Sequence, residues 1–210
     1  MRRRSQIDLG DHFRFEFMGS SSISQTGNQQ YLDGLEVTFT IFLGVQSKGK
    51  IKVDLVSGFD DAVQFDEVDP LNRLTDLKLK TVPYRIFPLA NQIADKVCAI
   101  EGLYSGKPSS RSKDLVDLIV IATTQTGVSA ADAAEAIRRE RTRRSNEPTN
   151  ILSIPNQWAD QYQSTAANVP ACAEFLLFAD AQDLMRKFID PLLGNSPEGV
   201  WSPNQLAWIS

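Results

Sequence analysis

Polar and hydrophobic positions alternate along much of the first quarter of the chain, a pattern typical of half-buried β-strands. Aromatic and β-branched residues fill many of the apolar positions, which favours strands further. We predict strands over residues 13–17, 35–44 and 50–56. Residues 18–30 are rich in Ser, Gly, Asn and Gln and predict a loop. The polar segment 46–50, which contains Gly49, predicts a tight turn that makes the second and third strands an antiparallel hairpin.

The pattern becomes irregular over residues 57–80, which are acidic, and only a short strand is predicted near 77–82. Pro83 and Pro88 then bracket a predicted turn. Beyond this point the apolar positions recur every three to four residues, which indicates amphipathic helices. Pro88 suits the first turn of such a helix, and Ser129 is placed to cap another. We predict helices over residues 88–103, 111–125, 130–144, 156–167 and 170–192.

Strands followed by helices predict an α+β protein, with a small antiparallel or mixed sheet and a helical C-terminal part. We place the division between residues 1–85 and residues 86–210. The end of the chain carries Trp201 and Trp208, which we expect to pack back onto the helices.

The composition mainly argues against certain kinds of site and cellular location. The 210 residues are 42% hydrophobic and carry a net charge of −4, so a nucleic-acid contact would need a local basic patch. Cys98 and Cys172 lie in apolar surroundings, and we expect two buried, reduced thiols. His12 is the single histidine, which argues against a histidine-based zinc site or catalytic triad. No secretory signal and no run of about 18 apolar residues is present, so a cytoplasmic location without a membrane partner follows by elimination.

Asp54 is the candidate acid of the strand region. Alternation places it with Lys52 on the face of its strand opposite Ile51 and Val53. In a central strand the carboxylate would need a partner or a metal ion, as in metal-dependent phosphoryl and nucleotidyl transfer. On an edge strand it would simply face solvent, and the residues alone leave both interpretations open.

Four charged residues are the candidates of the helical region. Lys96 borders the apolar stripe of its helix, where it is either a solvated side chain or a point charge for a triphosphate. Asp114 and Asp117 are neighbours on the next helix, close to Arg111. They form either a salt-bridged surface or a phosphate-binding set in which Asp114 orients Lys96 or Arg111.

One segment of the chain is strongly basic. Its members are Arg138, Arg139, Arg141, Arg143 and Arg144. They either bind the backbone of an RNA or DNA, or form a solvated helix end that the helix dipole favours.

The order of these segments resembles the AbiEii/AbiGii toxin family of nucleotidyltransferases, which is similar to the DNA polymerase β superfamily in its catalytic domain. The resemblance rests on DLGDHFRFEF, KIKVDLV, PLANQIADKVCAI, SSRSKDLVDLIVIA and NQWADQY, and it is most specific over residues 91–118. It implies a toxin of a bacterial toxin–antitoxin or abortive-infection system, similar to the MenT toxins of mycobacteria. A cognate antitoxin, an NTP substrate, a Mg²⁺ cofactor and tRNA or another RNA as acceptor are implied with it.

The resemblance also implies roles for individual residues. Asp54 matches the strand-borne carboxylate of the family, which is catalytic and binds metal. Lys96 matches the lysine of a K-x-x-A motif, which is catalytic and meets the triphosphate. Arg111, Asp114 and Asp117 match an R-x-[KR]-D-x-x-D-L motif, in which Asp114 is catalytic and the other two bind substrate. By the same resemblance, residues 1–85 form part of a nucleotidyltransferase-like sheet and residues 86–210 complete the active-site cleft.

One departure from the family pattern is marked. A Gly-Ser pair followed by Asp-x-Asp is expected, but Gly19-Ser20 has no Asp-x-Asp at a useful distance. Because two-metal transfer needs at least two convergent carboxylates, Asp54 alone is not expected to hold two Mg²⁺ ions. We therefore expect a truncated start or a split gene, and weak or no activity of this chain alone. The alternatives are an inactive homologue that binds an antitoxin or a nucleotide, and an RNA-binding module that uses the arginines of residues 138–144.

Overall fold

The computed structural model describes residues 12–23, 33–57, 65–70, 83–104, 106–194 and 198–209. The chain divides into two compact units, Met1–Ile86 and Phe87–Ser210. The described residues of the first unit form strands in small antiparallel sheets, and those of the second form helices and two short hairpins. The predicted α+β class, with its helices in the C-terminal half, is confirmed.

A three-stranded antiparallel sheet in the order β1-β2-β3 forms the main part of the first unit. Its strands are β1 (Phe13–Ser22), β2 (Asp33–Leu43) and β3 (Gln46–Ser57). Alternation along the strands gives the sheet an apolar and a polar face. Phe17 and Phe39 are cross-strand neighbours on the apolar face, with ring centroids 6.0 Å apart. Thr40 and Lys50 are neighbours on the polar face.

The hairpin of β2 and β3 confirms the prediction, but its turn lies elsewhere. Gly44 and Val45 form the turn, and the segment 46–50 belongs to β3. Gly44 has a φ of 59°, a value that glycine adopts without the steric cost of other residues. Gly49, which we expected in the turn, lies at an irregularity of the β2–β3 ladder with a φ of 118°.

Strand pairing also extends into segments that predicted loops. Residues 18–22 continue β1 because most of them pair with β2. Two further antiparallel strands, β4 (Asp66–Val68) and β5 (Tyr84–Ile86), lie where we predicted irregular structure and a turn. In each case a neighbouring strand satisfies the backbone groups, which the composition of the segment does not reveal. The strand predicted near 77–82 lies outside the described residues.

Helices dominate the second unit. They are α1 (Leu89–Glu101), α2 (Ser112–Thr124), α3 (Ala130–Arg144), α4 (Ala159–Ala166), α5 (Phe178–Phe188) and α6 (Asp190–Leu193), with 3-10 turns at Asn156–Trp158 and Pro170–Phe175. The short hairpins are β6 (Leu103–Tyr104) with β7 (Lys107–Pro108), and β8 (Val200–Ser202) with β9 (Ala207–Ile209). The predicted bounds of α1, α2 and α3 are correct to within two residues. None of the described helices is long and apolar enough to cross a membrane.

The single helix predicted over residues 170–192 is wrong, because the segment is broken into a 3-10 turn, α5 and α6. Leu177 has an extended backbone, with a ψ of 132°, and marks the start of α5. Pro191 lies in the first turn of α6, where its missing N–H removes no helical hydrogen bond. The apolar spacing alone does not show these two interruptions.

The core of the second unit includes the surfaces on which α1 packs against α2 and against α3. Ile93, Val97, Leu115 and Ile119 are fully buried there, and Ile137 is 1% exposed. Fully burying an aliphatic side chain of this size stabilises the fold by roughly 2 kcal/mol. This core fixes the relative positions of α1 and α2, on which the site described below is built.

The C-terminal hairpin packs onto the helices, as the two tryptophans predicted. The Trp201 ring lies 4.6 Å from that of Phe188, and its indole N–H donates to the carbonyl oxygen of Ala122 at 2.7 Å. Trp208 stacks on Phe188 with ring centroids 5.7 Å apart, and its ring also meets that of Trp201 edge-on at 5.3 Å. Both cysteines, Cys98 and Cys172, are buried and free, which confirms the prediction of reduced thiols.

Candidate functional site

A cluster of four charged side chains lies where α1 and the first turn of α2 meet. Lys96 on α1 borders the buried stripe of that helix, and its side chain is only 24% exposed. Its Nζ lies 2.9 Å from an Oδ1 of Asp114 and 2.8 Å from an Oδ2 of Asp117, both on α2. The lysine is therefore held by two carboxylates and is not a freely solvated side chain.

Asp114 is the centre of the cluster, because it binds both cations. Its side chain is 3% exposed, and Oδ2 accepts a hydrogen bond from Nε of Arg111 at 2.5 Å. Two charge-assisted bonds are what a buried carboxylate needs to offset the loss of its hydration. Asp114 therefore holds both Lys96 and Arg111, a contact that both interpretations of this segment contain.

Asp117 differs from Asp114 in burial. Its side chain is 50% exposed, although it lies one helical turn further along α2 and contacts the same ammonium of Lys96. A carboxylate with this much exposure can turn towards solvent at small cost, whereas Asp114 cannot. The cluster thus contains one fixed acid and one exchangeable acid.

The charge of Lys96 is secure at neutral pH. Burial lowers its pKa, but hydrogen bonds from its ammonium to Asp117 and Asp114 and the charges of these acids outweigh burial and raise the pKa above its usual range. With Lys96 and Arg111 positive and both acids negative, the four side chains sum to no net charge.

Two residues that we did not predict as part of the site bind the backbone next to Arg111. Ser109 is 1% exposed, and its Oγ accepts a hydrogen bond from the backbone N–H of Arg111 at 3.1 Å. The indole N–H of Trp158, which is 2% exposed, donates to the backbone carbonyl of Ser109 at 3.0 Å. A tryptophan next to a short turn was visible in the sequence, but its partner 49 residues away was not.

Asp54 lies in the first unit, on the polar face of the sheet. It is exposed, and β3 is an edge strand of the described sheet. Its cross-strand neighbour is Glu36, whose carboxylate accepts a hydrogen bond from Nζ of Lys52 at 2.9 Å. The sequence did not single out Glu36, although alternation places it on the same face.

A magnesium centre does not follow from the described side chains. Among them, no three Asp, Glu, His or Cys residues converge as metal ligands. Asp54 has Glu36 opposite it, but the charge of Glu36 is already paired with Lys52. The residues that the structure describes therefore do not fit the ligand set that the resemblance implies.

The five arginines near the end of α3 do not form one exposed surface. Arg141 and Arg144 are 7% and 5% exposed, and they tie α3 to α1 by binding Glu101 and Asp95 respectively. Arg144 also donates a hydrogen bond to Glu140. Arg143 donates to the same carboxylate from its Nε, at 2.8 Å. Most of this segment is thus part of the internal packing of the helices.

The exposed arginines of α3 are Arg138 and Arg139. Arg138 donates to Glu135 one turn earlier. It also lines a cavity of about 340 Å³ with Arg141, Thr149 and residues 192–194. A nucleic-acid contact through this helix would therefore rest on two arginines instead of the predicted five.

Comparison with known proteins identifies the chain at the level of a family. The family described as nucleotidyl transferase AbiEii toxin, type IV toxin–antitoxin system, matches residues 6–207, which is nearly the whole chain. A comparison with the curated proteins gave no match.

Proposed function

Because the chain belongs to the AbiEii family of nucleotidyl transferase toxins of type IV toxin–antitoxin systems, we propose that it transfers a nucleotide from an NTP to an RNA. We further propose tRNA as the acceptor and a cognate antitoxin as the partner that limits its toxicity. The proposal is supported above all by the buried Asp114, which forms ion pairs with both Lys96 and Arg111.

Lys96 and Arg111 are the groups that we propose to bind the triphosphate. The side chain of Arg111 is 40% exposed, so a ligand can reach its guanidinium while Nε stays bound to Asp114. The half-exposed Asp117 can leave Lys96 when phosphate oxygens arrive, because solvent compensates its charge. A triphosphate thus takes the place of Asp117 at the ammonium of Lys96, while Asp114 keeps both cations in place.

The geometry also explains why a lysine and an arginine are used together. Arg111 offers a planar fork that matches two phosphate oxygens, whereas Lys96 supplies a compact point charge. Both have lost part of their side-chain freedom to Asp114 before the ligand arrives. Such preorganisation reduces the entropy that binding must overcome.

Asp54 remains our proposal for an acid of the reaction. It is the strand-borne carboxylate on the polar face of the sheet, beside Glu36. Nucleotidyltransferases of this kind generally use a divalent metal with the NTP. We assign no ligand set for it, because no cluster of the described acids fits one.

The test of the proposal is a transfer assay with the full chain. The protein is incubated with tRNA, Mg²⁺ and each of the four radiolabelled NTPs in turn, and labelled RNA is detected on a denaturing gel. Because the Asp-x-Asp motif is missing, we expect only weak label, from at least one NTP, and its loss in Lys96→Ala and Asp54→Asn. Lys187→Ala is the matched control, because Lys187 is an exposed lysine on α5.

The same samples distinguish the alternatives. Nucleotide binding by calorimetry without any labelled RNA would favour a homologue that binds nucleotide and does not transfer it. Labelled RNA of equal intensity in Lys96→Ala and in the wild type would exclude Lys96 from the proposed site. If no NTP is bound and none is transferred, the proposed function is contradicted.

A further inference from the structure

Two hydrogen bonds connect the buried ring of Trp158 to the backbone of Arg111. The indole N–H donates to the carbonyl oxygen of Ser109, and the Oγ of Ser109 accepts from the N–H of Arg111. Trp158 and Ser109 are 2% and 1% exposed, so water does not replace either bond. The two hydrogen bonds form a short relay from the start of α4 to the first turn of α2.

The relay acts on the segment that leads into α2, where the carbonyl oxygen of Arg111 also accepts a hydrogen bond from the N–H of Asp114. Arg111 precedes α2, with a φ of −89° and a ψ of 53°, and its own side chain does not cap the helix. The guanidinium is instead directed to Asp114, three residues further on. Where Arg111 places its charge therefore depends on the backbone of residues 109–111, and the relay restrains that backbone.

We propose that Trp158 is a positioning residue for the triphosphate-binding cluster, acting through Ser109 on Arg111. This inference rests on the proposed function, because it concerns the same site. Trp158 contacts no ligand in this proposal. Its indole N–H keeps residues 109–111 in the conformation in which Arg111 is bound to Asp114 while its side chain is 40% exposed.

A second tryptophan provides an internal control. Trp201 is 1% exposed, and its indole N–H donates to a backbone carbonyl, that of Ala122, at 2.7 Å. Ala122 lies in the last turn of α2, at the opposite end of the helix from Arg111. Replacing either tryptophan with Phe removes one buried N–H donor and part of one buried ring, but only Trp158 is linked to the cluster.

The experiment compares Trp158→Phe, Ser109→Ala and Trp201→Phe in the full chain with two measurements. The first is the rate of hydrogen exchange at Nε of Arg111 in ¹H–¹⁵N spectra, assigned with Arg111→Lys. The second is the affinity for each of the four NTPs in the presence of Mg²⁺. Loss of one buried hydrogen bond predicts exchange that is about three- to tenfold faster and NTP binding that is weaker by about the same factor. Both effects are expected in Trp158→Phe and Ser109→Ala and not in Trp201→Phe.

The outcomes of these two measurements either support or overturn the positioning role of Trp158. Unchanged exchange at Arg111 in both Trp158→Phe and Ser109→Ala would overturn it, as would an equal change in Trp201→Phe, which would indicate general loosening. Faster exchange with unchanged NTP affinity would overturn the link to the triphosphate. If the wild type binds no NTP while exchange becomes faster only in Trp158→Phe and Ser109→Ala, the proposed function fails and the positioning of Arg111 by Trp158 stands.

Discussion

Lys96 and Asp114 lie on different helices and 18 residues apart in the chain, yet the lysine Nζ is 2.9 Å from the aspartate Oδ1. The same carboxylate binds Arg111 and is almost fully buried. One acid thus fixes two cations at the junction of α1 and α2. In a nucleotidyl transferase of the AbiEii family, this is where we place the triphosphate of the substrate.

Replacing Lys96 with Met should weaken NTP binding by about tenfold or more, because the substitution removes a charge while keeping most of the side-chain volume. Asp114 would retain Arg111, so we expect a loss of only about 1–2 kcal/mol of unfolding free energy. Calorimetric titration with each NTP and urea unfolding measure the two effects. The Lys187→Met variant should change neither, and an equal loss of affinity there would count against a specific role of Lys96.

Asp114→Asn and Asp117→Asn should differ sharply in stability. The first leaves two cations beside a buried amide and should cost about 2–4 kcal/mol of unfolding free energy. The second removes a half-exposed partner and should cost less than about 1 kcal/mol. Urea unfolding of the two variants under identical conditions tests this. Equal losses would mean that Asp114 is not the fixed acid of the cluster.

The stability of the helical unit should fall on acidification through Glu140. Burial raises the pKa of Glu140, but the hydrogen bond from Arg143 and the charges of Arg144 and Arg143 outweigh burial and lower it. A lowered pKa in the folded state contributes stability above the unfolded pKa of about 4.3 and loses it as the pH falls through the folded value. Unfolding experiments between pH 3 and 7 should show a shallower acid dependence in Glu140→Gln than in the wild type. An identical dependence would contradict the assignment to Glu140.

RNA binding through α3 should depend on Arg138 and Arg139. Their joint replacement with Gln should reduce the slope of the logarithm of affinity against the logarithm of salt concentration by about 2. Binding is measured by filter retention of labelled tRNA over a range of salt. Replacing Arg186 of α5, which is also exposed, serves as the comparison. No change of slope in the double variant would exclude α3 from the RNA interface.

Gly199 should tolerate no side chain, whereas Gly127 should tolerate one at moderate cost. Both have a positive φ, but an added Cβ at Gly199 would lie 2.4 Å from the carbonyl oxygen of Ile209, and one at Gly127 would meet nothing within 4 Å. Gly127→Ala should therefore cost about 1 kcal/mol for the conformation alone, and Gly199→Ala clearly more. Thermal unfolding of the two variants distinguishes these contributions. A smaller loss in Gly199→Ala would show that the C-terminal hairpin can move away.

The first three helices and the hairpin of β2 and β3 could be predicted because their signals are local. The apolar repeat that includes Ile93 and Val97 shows the buried face of α1, and Ser129 does cap α3, accepting a hydrogen bond from the N–H of Asp132. The turn at Gly44 was misplaced, because two glycines were available and only the strand register selects between them. The interruption at Leu177, where the backbone is extended, was missed because the apolar spacing continues across it.

In the candidate site, too, the sequence identified some features and only the tertiary structure showed others. The family motif located Lys96, Arg111 and Asp114 in the sequence. It did not reveal that Asp114 is buried between the two cations, or that Trp158 holds the segment before α2. The Lys96–Asp114 and Trp158–Ser109 contacts join residues 18 and 49 positions apart, which no local pattern encodes.

The arginines of α3 show most clearly what each level determines. The sequence by itself determined a helix with a basic end, because propensity, capping and the helix dipole act over a few neighbouring residues. Only the tertiary structure decided that Arg141 and Arg144 face α1 and bind Glu101 and Asp95, while Arg138 and Arg139 face outward. The physical reason is that the energy of a charge depends on its burial and its partners, and both are set by which helix faces pack together.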